Sequence, residues 1–162
     1  GEFYRLSLFT DKYYALRAVK GVPMLEIDGI RMHLIRDFET PLDYSRHVIE
    51  LIKIRKGQKV LDTCGGLGYT AMAAARNGAN VTSVELKKEV LNLASQNPYS
   101  DGYFKNSHIN IVNADSYDYI QDISDKSFDV VIHDPPTYSM APNLYSEIFY
   151  EQAFRVLKMN GL

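Results

Sequence analysis

The sequence predicts an α/β protein with a Rossmann-like, doubly wound, mostly parallel sheet. Three observations lead there. From residue 57 onward, short β-branched runs alternate with segments of helical spacing over about 100 residues. One of those runs, Val60-Leu61-Asp62, passes directly into glycines and then into an Ala-rich segment. Acidic residues recur just past the ends of the runs, at Asp62, Glu85, Asp115 and Asp134. In open α/β sheets that is the edge where ligands bind.

The elements are expected in the following order. Residues 4–22 are rich in Tyr and Leu without a clean period and predict no definite element. Leu25 to His33 alternates apolar and polar residues around Asp28-Gly29, a hairpin pattern over about residues 25–35. Thr40-Pro41-Leu42-Asp43 opens a helix, with Thr40 as cap and Pro41 at the first position. Val48, Leu51, Ile52 and Arg55 share a face, so the helix is expected over 41–55, ended by Gly57. Strands follow at 60–62, 80–84, 109–112 and 128–133, with helices at 69–77, 88–97, 116–121 and 144–158. Right-handed crossovers then give the doubly wound layout. The expected organisation is an N-terminal extension, residues 1–56, related to substrate, and a ligand-binding domain, residues 57–162.

Composition narrows the function classes. The 162 residues are 23% charged and 46% hydrophobic, an ordinary globular balance. No apolar run approaches a membrane span. The single cysteine excludes an internal disulfide and fits a reducing, cytoplasmic setting. The net charge of −2 argues against nucleic-acid binding by bulk charge. Residues 1–59 carry 11 Lys+Arg against 8 Asp+Glu, and residues 60–162 carry 7 against 12. That split fits a mildly basic substrate region beside an acidic ligand site, and equally a solvated surface. The four histidines show no metal-ligand spacing, and no metal is expected. Tyr4, Phe9, Tyr13, Tyr14 and Phe38 fit either stacking on nucleotides or a satellite apolar cluster.

The chemistry concentrates on Val60 to Gly68. Glycines at 65, 66 and 68 permit unusual φ angles and close approach of a ligand to the backbone. The helix beyond them offers free N–H groups. Glu85, at the tip of the next strand, is placed to bind both hydroxyls of a ribose. Asp115 is placed either to accept from the exocyclic amine of adenine or to cap the helix from Ser116. Gly66-Leu67-Gly68-Tyr69-Thr70-Ala71 also fits a dinucleotide pattern, but Asp62 at the loop entrance would repel a pyrophosphate. The acidic mouth suits a ligand carrying an ammonium and a sulfonium, which is S-adenosyl-L-methionine.

On these residues the chain resembles the class I S-adenosylmethionine-dependent methyltransferases. Val60–Gly68 resembles their motif I, Glu85 the acid after it, Asp115 the adenine contact and Asp134-Pro135-Pro136 motif IV. Leu25–Arg31, Asp62-Thr63-Cys64, Gly68-Tyr69-Thr70, Asn97-Pro98-Tyr99-Ser100 and His133–Pro136 further resemble a group of predicted archaeal methyltransferases. The resemblance implies a cofactor site of Asp62, Cys64, Gly65, Gly66, Gly68, Glu85, Leu86, Asp115 and Ser116. It implies that Asp134 and the carbonyl of Pro135 accept the N–H groups of a planar amine while an aromatic ring stacks on it. Here Thr137 occupies the usual aromatic position and Tyr138 follows. Cys64 stands where glycine is usual and reads as a small buried thiol.

The expected activity is methyl transfer to an amine, a nucleobase in RNA or DNA ahead of a small molecule or protein. An aminopropyltransferase of the spermidine synthase type and a non-catalytic S-adenosylmethionine-binding scaffold are the alternatives. Gly1-Glu2-Phe3 reads as an added leader, and Leu162 falls where a fifth strand of a seven-stranded sheet would begin. The expectation is a truncated domain whose fourth strand leaves an apolar edge, covered by further chain or by another subunit.

Overall fold

The computed structural model describes residues 6–33 and 35–162. Tyr4 and Gly1-Glu2-Phe3, expected to be an added leader, lie outside the described residues.

The C-terminal two thirds form a parallel sheet. Its strands are β5 (Lys59–Asp62), β6 (Asn80–Glu85), β7 (Ile109–Asn113) and β8 (Val130–Ile132), in the order β7-β6-β5-β8. All three pairings are parallel. Successive side chains on these strands go to opposite faces, as the pleat requires. Val60, Val81, Val130 and Ile132 join one apolar cluster, with Ala71, Met72, Val90 and Leu93 from the helices α2 (Tyr69–Arg76) and α3 (Lys88–Ser95). Leu61 and Val84 join the other, with Ile120, Phe149 and Val156. Phe149 and Val156 belong to α6 (Glu147–Val156), and Ile120 follows the short α5 (Ser116–Tyr119). Helices therefore cover both faces, the doubly wound layout.

The N-terminal region is a second, antiparallel sheet. Its strands run in sequence order: β1 (Ser7–Phe9), β2 (Tyr13–Val19), β3 (Val22–Ile27) and β4 (Ile30–Arg31). The hairpin expected around Asp28-Gly29 is present, with β3 and β4 antiparallel and Ile27 opposite Ile30, but it is the short one. Asp28 and Gly29 do turn with positive φ, but β4 has only two exposed residues. The main pairing is β2 with β3, Tyr14 opposite Ile27 through Val19 opposite Val22. Its turn is Lys20-Gly21, where both φ angles are positive. Tyr14, Val22, Leu25 and Ile27 of this sheet enter the same apolar cluster as α2 and α3.

Helix α1 (Pro41–Ile52) joins the two sheets. Thr40 caps it by accepting from Asp43 N at 3.2 Å. It stops earlier than residue 55, at a left-handed Lys53 with φ 55°. Its buried face is Pro41, Ser45 and Ile49, spaced by four, while Leu51 is exposed. The apolar face read from Leu51 was therefore rotated. Two further elements differ. The 144–158 helix is divided at Ser146, whose ψ of 151° breaks the helix and whose Oγ caps α6 by accepting from Phe149 N. A short helix, α4 (Asp101–Lys105), carries the fully buried Tyr103 and had no sequence signal.

The outer side of β8 is partly lined. Phe128 forms a parallel bridge with Leu157, and Leu162 donates from N to the Asp129 carbonyl and accepts from Val131 N. No helix of the described residues is long and apolar enough to cross a membrane.

Candidate functional site

A cavity of about 280 Å³ opens at the carboxyl ends of β5, β6, β7 and β8. Asp62, Glu85, Asp115 and Asp134 all line it. Tyr14 and Leu25 of the N-terminal sheet, Met32 just after β4 and Tyr44 of α1 supply its opposite wall.

The glycine loop is built around Tyr103. Gly65 N donates to the Val84 carbonyl and Gly68 N to the Gly65 carbonyl, both at 2.8 Å. A Cβ on Gly65 would lie 2.4 Å from Tyr103 Oη, and one on Gly68 2.1 Å from the same ring. Packing against Tyr103 thus requires glycine at 65 and 68, Gly68 also has the expected positive φ of 78°, and Gly65 but not Gly68 lines the cavity. Gly66 differs: its φ is 54° and a Cβ there would meet nothing within 4 Å. Gly66 lines the cavity with Gly65 and has room for more than its hydrogen. Cys64 lines the cavity too, and burial pushes its thiol well above the ordinary range, so it is no nucleophile.

Asp62 is almost wholly buried. It accepts from Ser83 Oγ at 2.9 Å and, at a long 3.4 Å, from Cys64 N. Burial raises its pKa to about 6, and the negative charges of Glu85 and Asp134 add to the effect. Glu85 holds the loop: Oε2 accepts from Gly66 N at 2.8 Å and Oε1 from Lys87 N at 2.9 Å. Burial raises its pKa against the pull of those two amides. Leu86 beside it is exposed and lines the cavity.

Asp115 caps α5, its Oδ1 accepting from Tyr117 N at 2.8 Å, and it lines the cavity as well. The capping reading is thus realised, and the residue stands on the cavity wall. Ser116 is buried, and its hydroxyl donates to the Thr63 carbonyl.

Asp134 accepts from Tyr44 Oη at 2.9 Å. Burial and the neighbouring carboxylate together push the Tyr44 hydroxyl well above its ordinary pKa, so it stays a donor. Pro136 lines the cavity, but its carbonyl already accepts from Tyr145 Oη at 2.6 Å. The Pro135 carbonyl has no hydrogen bond among the described residues. Tyr138 is 66% exposed, packs edge-on against Tyr145 and does not line the cavity. His133 lies between Thr63 Oγ1 at 2.8 Å and the Leu144 carbonyl at 2.9 Å. The carbonyl can only accept, so Nε2 carries the proton, and burial lowers the ring's pKa. His133 is thus a strut rather than a substrate contact.

Tyr44 and His33 are cavity residues that sequence reasoning passed over. Tyr44 is 90 positions from Asp134, and nothing local to it marks the contact.

The comparisons with known proteins agree with this geometry. Residues 60–161 match the methyltransferase domain family. An uncharacterised protein of Methanocaldococcus jannaschii is 48% identical over 162 residues, 99% of this chain and 55% of that protein. A second protein of that organism, named for ribosomal RNA large subunit methyltransferase activity, is 32% identical over 150 residues, 86% of this chain and 36% of it. The chain thus spans only about half, or less, of these relatives. A spermidine synthase crystallised with the transition-state analogue AdoDATO superposes with a TM-score of 0.78 at 20% identity, covering 94% of this chain and 54% of that one. With the parallel sheet, the glycine loop and the matched segment in agreement, the chain belongs to the methyltransferase domain family, with the class I, Rossmann-like fold.

Proposed function

We propose that this chain binds S-adenosyl-L-methionine and directs its methyl group to an amine. The observation that carries the reading is the convergence of Asp62, Glu85, Asp115 and Asp134 on one cavity at the carboxyl ends of the parallel strands. The residues fit such a cofactor. Glu85 is fixed by two loop amides and retains lone pairs for ribose hydroxyls. Gly66 leaves open space where a side chain would intrude. Asp62 offers a carboxylate to an ammonium, Asp115 an acceptor to adenine, and Cys64, Gly65, Leu86 and Ser116 complete the wall. When bound, the cofactor would supply a methyl group already activated by its sulfonium.

The chain's own part is positioning. Asp134 accepts one N–H of the acceptor amine, and the unengaged Pro135 carbonyl accepts the other. Tyr44 holds the Asp134 carboxylate in place, which supports a substrate-related role for the N-terminal extension over residues 1–56. Tyr138 stands outside the cavity, so a stacking role requires the segment after Pro136 to move. The name of the ribosomal RNA relative supports a nucleobase ahead of a small molecule as acceptor.

The test is calorimetry with S-adenosylhomocysteine. Wild type binds, and Glu85→Ala loses binding; equal affinity in the two would refute the assignment. Aminopropyl transfer is the second reading, favoured by the spermidine synthase likeness over 94% of the chain, N-terminal sheet included. A thermal shift with decarboxylated S-adenosylmethionine and none with the carboxylated form would establish it.

A further inference from the structure

The net charge of −2 conceals a division along the parallel strands. Their carboxyl ends meet four carboxylates at the cavity. Their amino ends are fed by residues 53–59, 76–80, 105–108 and 124–129, which hold seven Lys and Arg against two Asp. Backbone bonds knit these segments into one face. Gly57 N donates to the Gly78 carbonyl, Asn80 N to that of Gln58, Val81 N to that of His108 and Asp129 N to that of Lys59, each at 2.8 Å.

Both acids of this face are engaged. Asp125 pairs with Arg155, and Asp129 pairs with Lys158 and accepts from Lys59 N. Lys105 is likewise paired, with Asp101. The other six cations, Lys53, Arg55, Lys56, Lys59, Arg76 and Lys126, are exposed and form no ion pair. Elsewhere among the described residues only Arg31, Arg36 and Lys88 are also unpaired. Like charges gathered without counter-charges repel one another, and a polyanion relieves that repulsion. None of the exposed large apolar side chains falls in these segments, so the face has nothing to insert into a lipid surface.

A groove of about 310 Å³ lies on this face, and no carboxylate lines it. Lys59, Asn80, Thr82, Ser107, His108 and Asn110 do. Lys59 is opposite Asn80 and Thr82 opposite Asn110 in the parallel register, so the pleat turns these four side chains to one face of the sheet. His108 Nδ1 lies 2.9 Å from Asn80 Oδ1. An amide oxygen only accepts, so Nδ1 donates, and Asn80 Nδ2 keeps both its N–H groups free. In its neutral form the ring then keeps an acceptor at Nε2. Lysine and amide donors for phosphate oxygens thus stand beside an acceptor for a sugar hydroxyl, and the 2′-hydroxyl of RNA is such a donor.

We propose that the face at the amino ends of the parallel strands binds the sugar–phosphate backbone of an RNA. The proposal rests on the nucleobase-acceptor reading above and deepens it, by giving the acceptor a second hold away from the reacting base. The strands between the two ends are three to six residues long, roughly 10–20 Å, a distance several nucleotides span.

The experiment is fluorescence anisotropy of the 162-residue chain with a labelled single-stranded RNA of about 20 nucleotides and mixed sequence, titrated at several salt concentrations. Wild type should bind, with log K falling linearly in log salt by about 0.7 per phosphate contacted. Lys59→Gln/Lys126→Gln should weaken RNA about tenfold, flatten that slope by about 1.4 and leave S-adenosylhomocysteine within about twofold. Lys20→Gln, which removes a charge from the N-terminal sheet, should leave both affinities as they are. The DNA strand of the same sequence should bind more weakly, and His108→Phe should erase that difference. Undiminished RNA binding by the double variant, an equal loss in Lys20→Gln, or equal wild-type affinity for the two strands would overturn the proposal. So would binding to phosphatidylserine-containing vesicles without binding to RNA. Wild type that binds RNA through this face yet transfers no methyl group to it would instead refute the nucleobase reading and leave the docking face standing.

Discussion

Replacing Asp62 with Asn removes one buried charge and keeps the shape. In the folded chain burial raises the Asp62 pKa from 3.8 to about 6. The folded state therefore holds a proton that the unfolded state releases between about pH 4 and pH 6. The sign follows. Stability from this residue is full below the unfolded pKa and is lost as pH rises through the folded one. Two pH units at 1.36 kcal/mol each make the ionised Asp62 cost about 3 kcal/mol at neutral pH. Asn escapes that cost. Its carbonyl can accept from Cys64 N and its amide can donate to Ser83 Oγ, which then donates to Tyr103 Oη, 2.9 Å away. Thermal denaturation should therefore show Asp62→Asn stabilised by up to about 3 kcal/mol near pH 7.5, roughly 6–12 °C for a chain of this size. Near pH 4.5 the gain should shrink to about 1 kcal/mol. The same variant should bind S-adenosylhomocysteine about tenfold or more weakly, because the carboxylate facing the ammonium is gone. A variant destabilised equally at both pH values would refute the buried-charge account. One that is stabilised yet binds as wild type would refute the ammonium contact.

Other substitutions separate packing from binding. Gly68→Ala places a Cβ inside the Tyr103 ring at a φ of 78°, so thermal melting should show a loss of about 3 kcal/mol or more, or no folded protein. Gly66→Ala meets open space and bears only the backbone strain, about 1 kcal/mol, so it should fold and lose S-adenosylhomocysteine affinity by calorimetry. Tyr44→Phe deletes the bond to Asp134 and should leave cofactor affinity unchanged while lowering kcat/KM once an acceptor is in hand. Arg155 donates to the carbonyls of Ile120 and Ile123 and pairs with Asp125, so Arg155→Ala should lower stability by about 1–3 kcal/mol in denaturant titration without touching ligand binding.

The parallel sheet was legible because each of its signals is local. Val60-Leu61-Asp62 followed by glycines and an Ala-rich helix compresses strand, turn and cap into about 17 residues, so period and turn chemistry are read in one window. The four acids were legible because strand ends fall at the same side of any parallel sheet. Of the antiparallel sheet only the short β3–β4 hairpin was legible. Asp28-Gly29 is the stronger turn signal in composition, yet its second arm is two exposed residues, while Lys20-Gly21 closes the pairing that buries Tyr14, Leu25 and Ile27. Lys at a positive φ is an unfavourable choice that the β2–β3 pairing and its core contacts override.

The same division explains which site residues were missed. Gly65 and Gly68 carried a correct signal, a need for glycine, and the positive φ expected of the turn is present at Gly68, but one cause was hidden: a Cβ would meet Tyr103, more than 30 positions later. Tyr44 and His33 come from the N-terminal region, and their place in the cavity is made only when β2, β3 and α1 pack against α2 and α3. Asp11 shows how that packing is tied down. It accepts from Lys87 Nζ and from Tyr14 Oη, both at 2.9 Å, and these bonds hold its carboxyl well below the usual range. Lys87 N in turn donates to Glu85. The N-terminal sheet is thus linked through one lysine to the carboxylate assigned to the ribose. The N-terminal region, which the sequence assigns a substrate-related role, therefore also reaches the proposed cofactor, at the ribose end through Lys87.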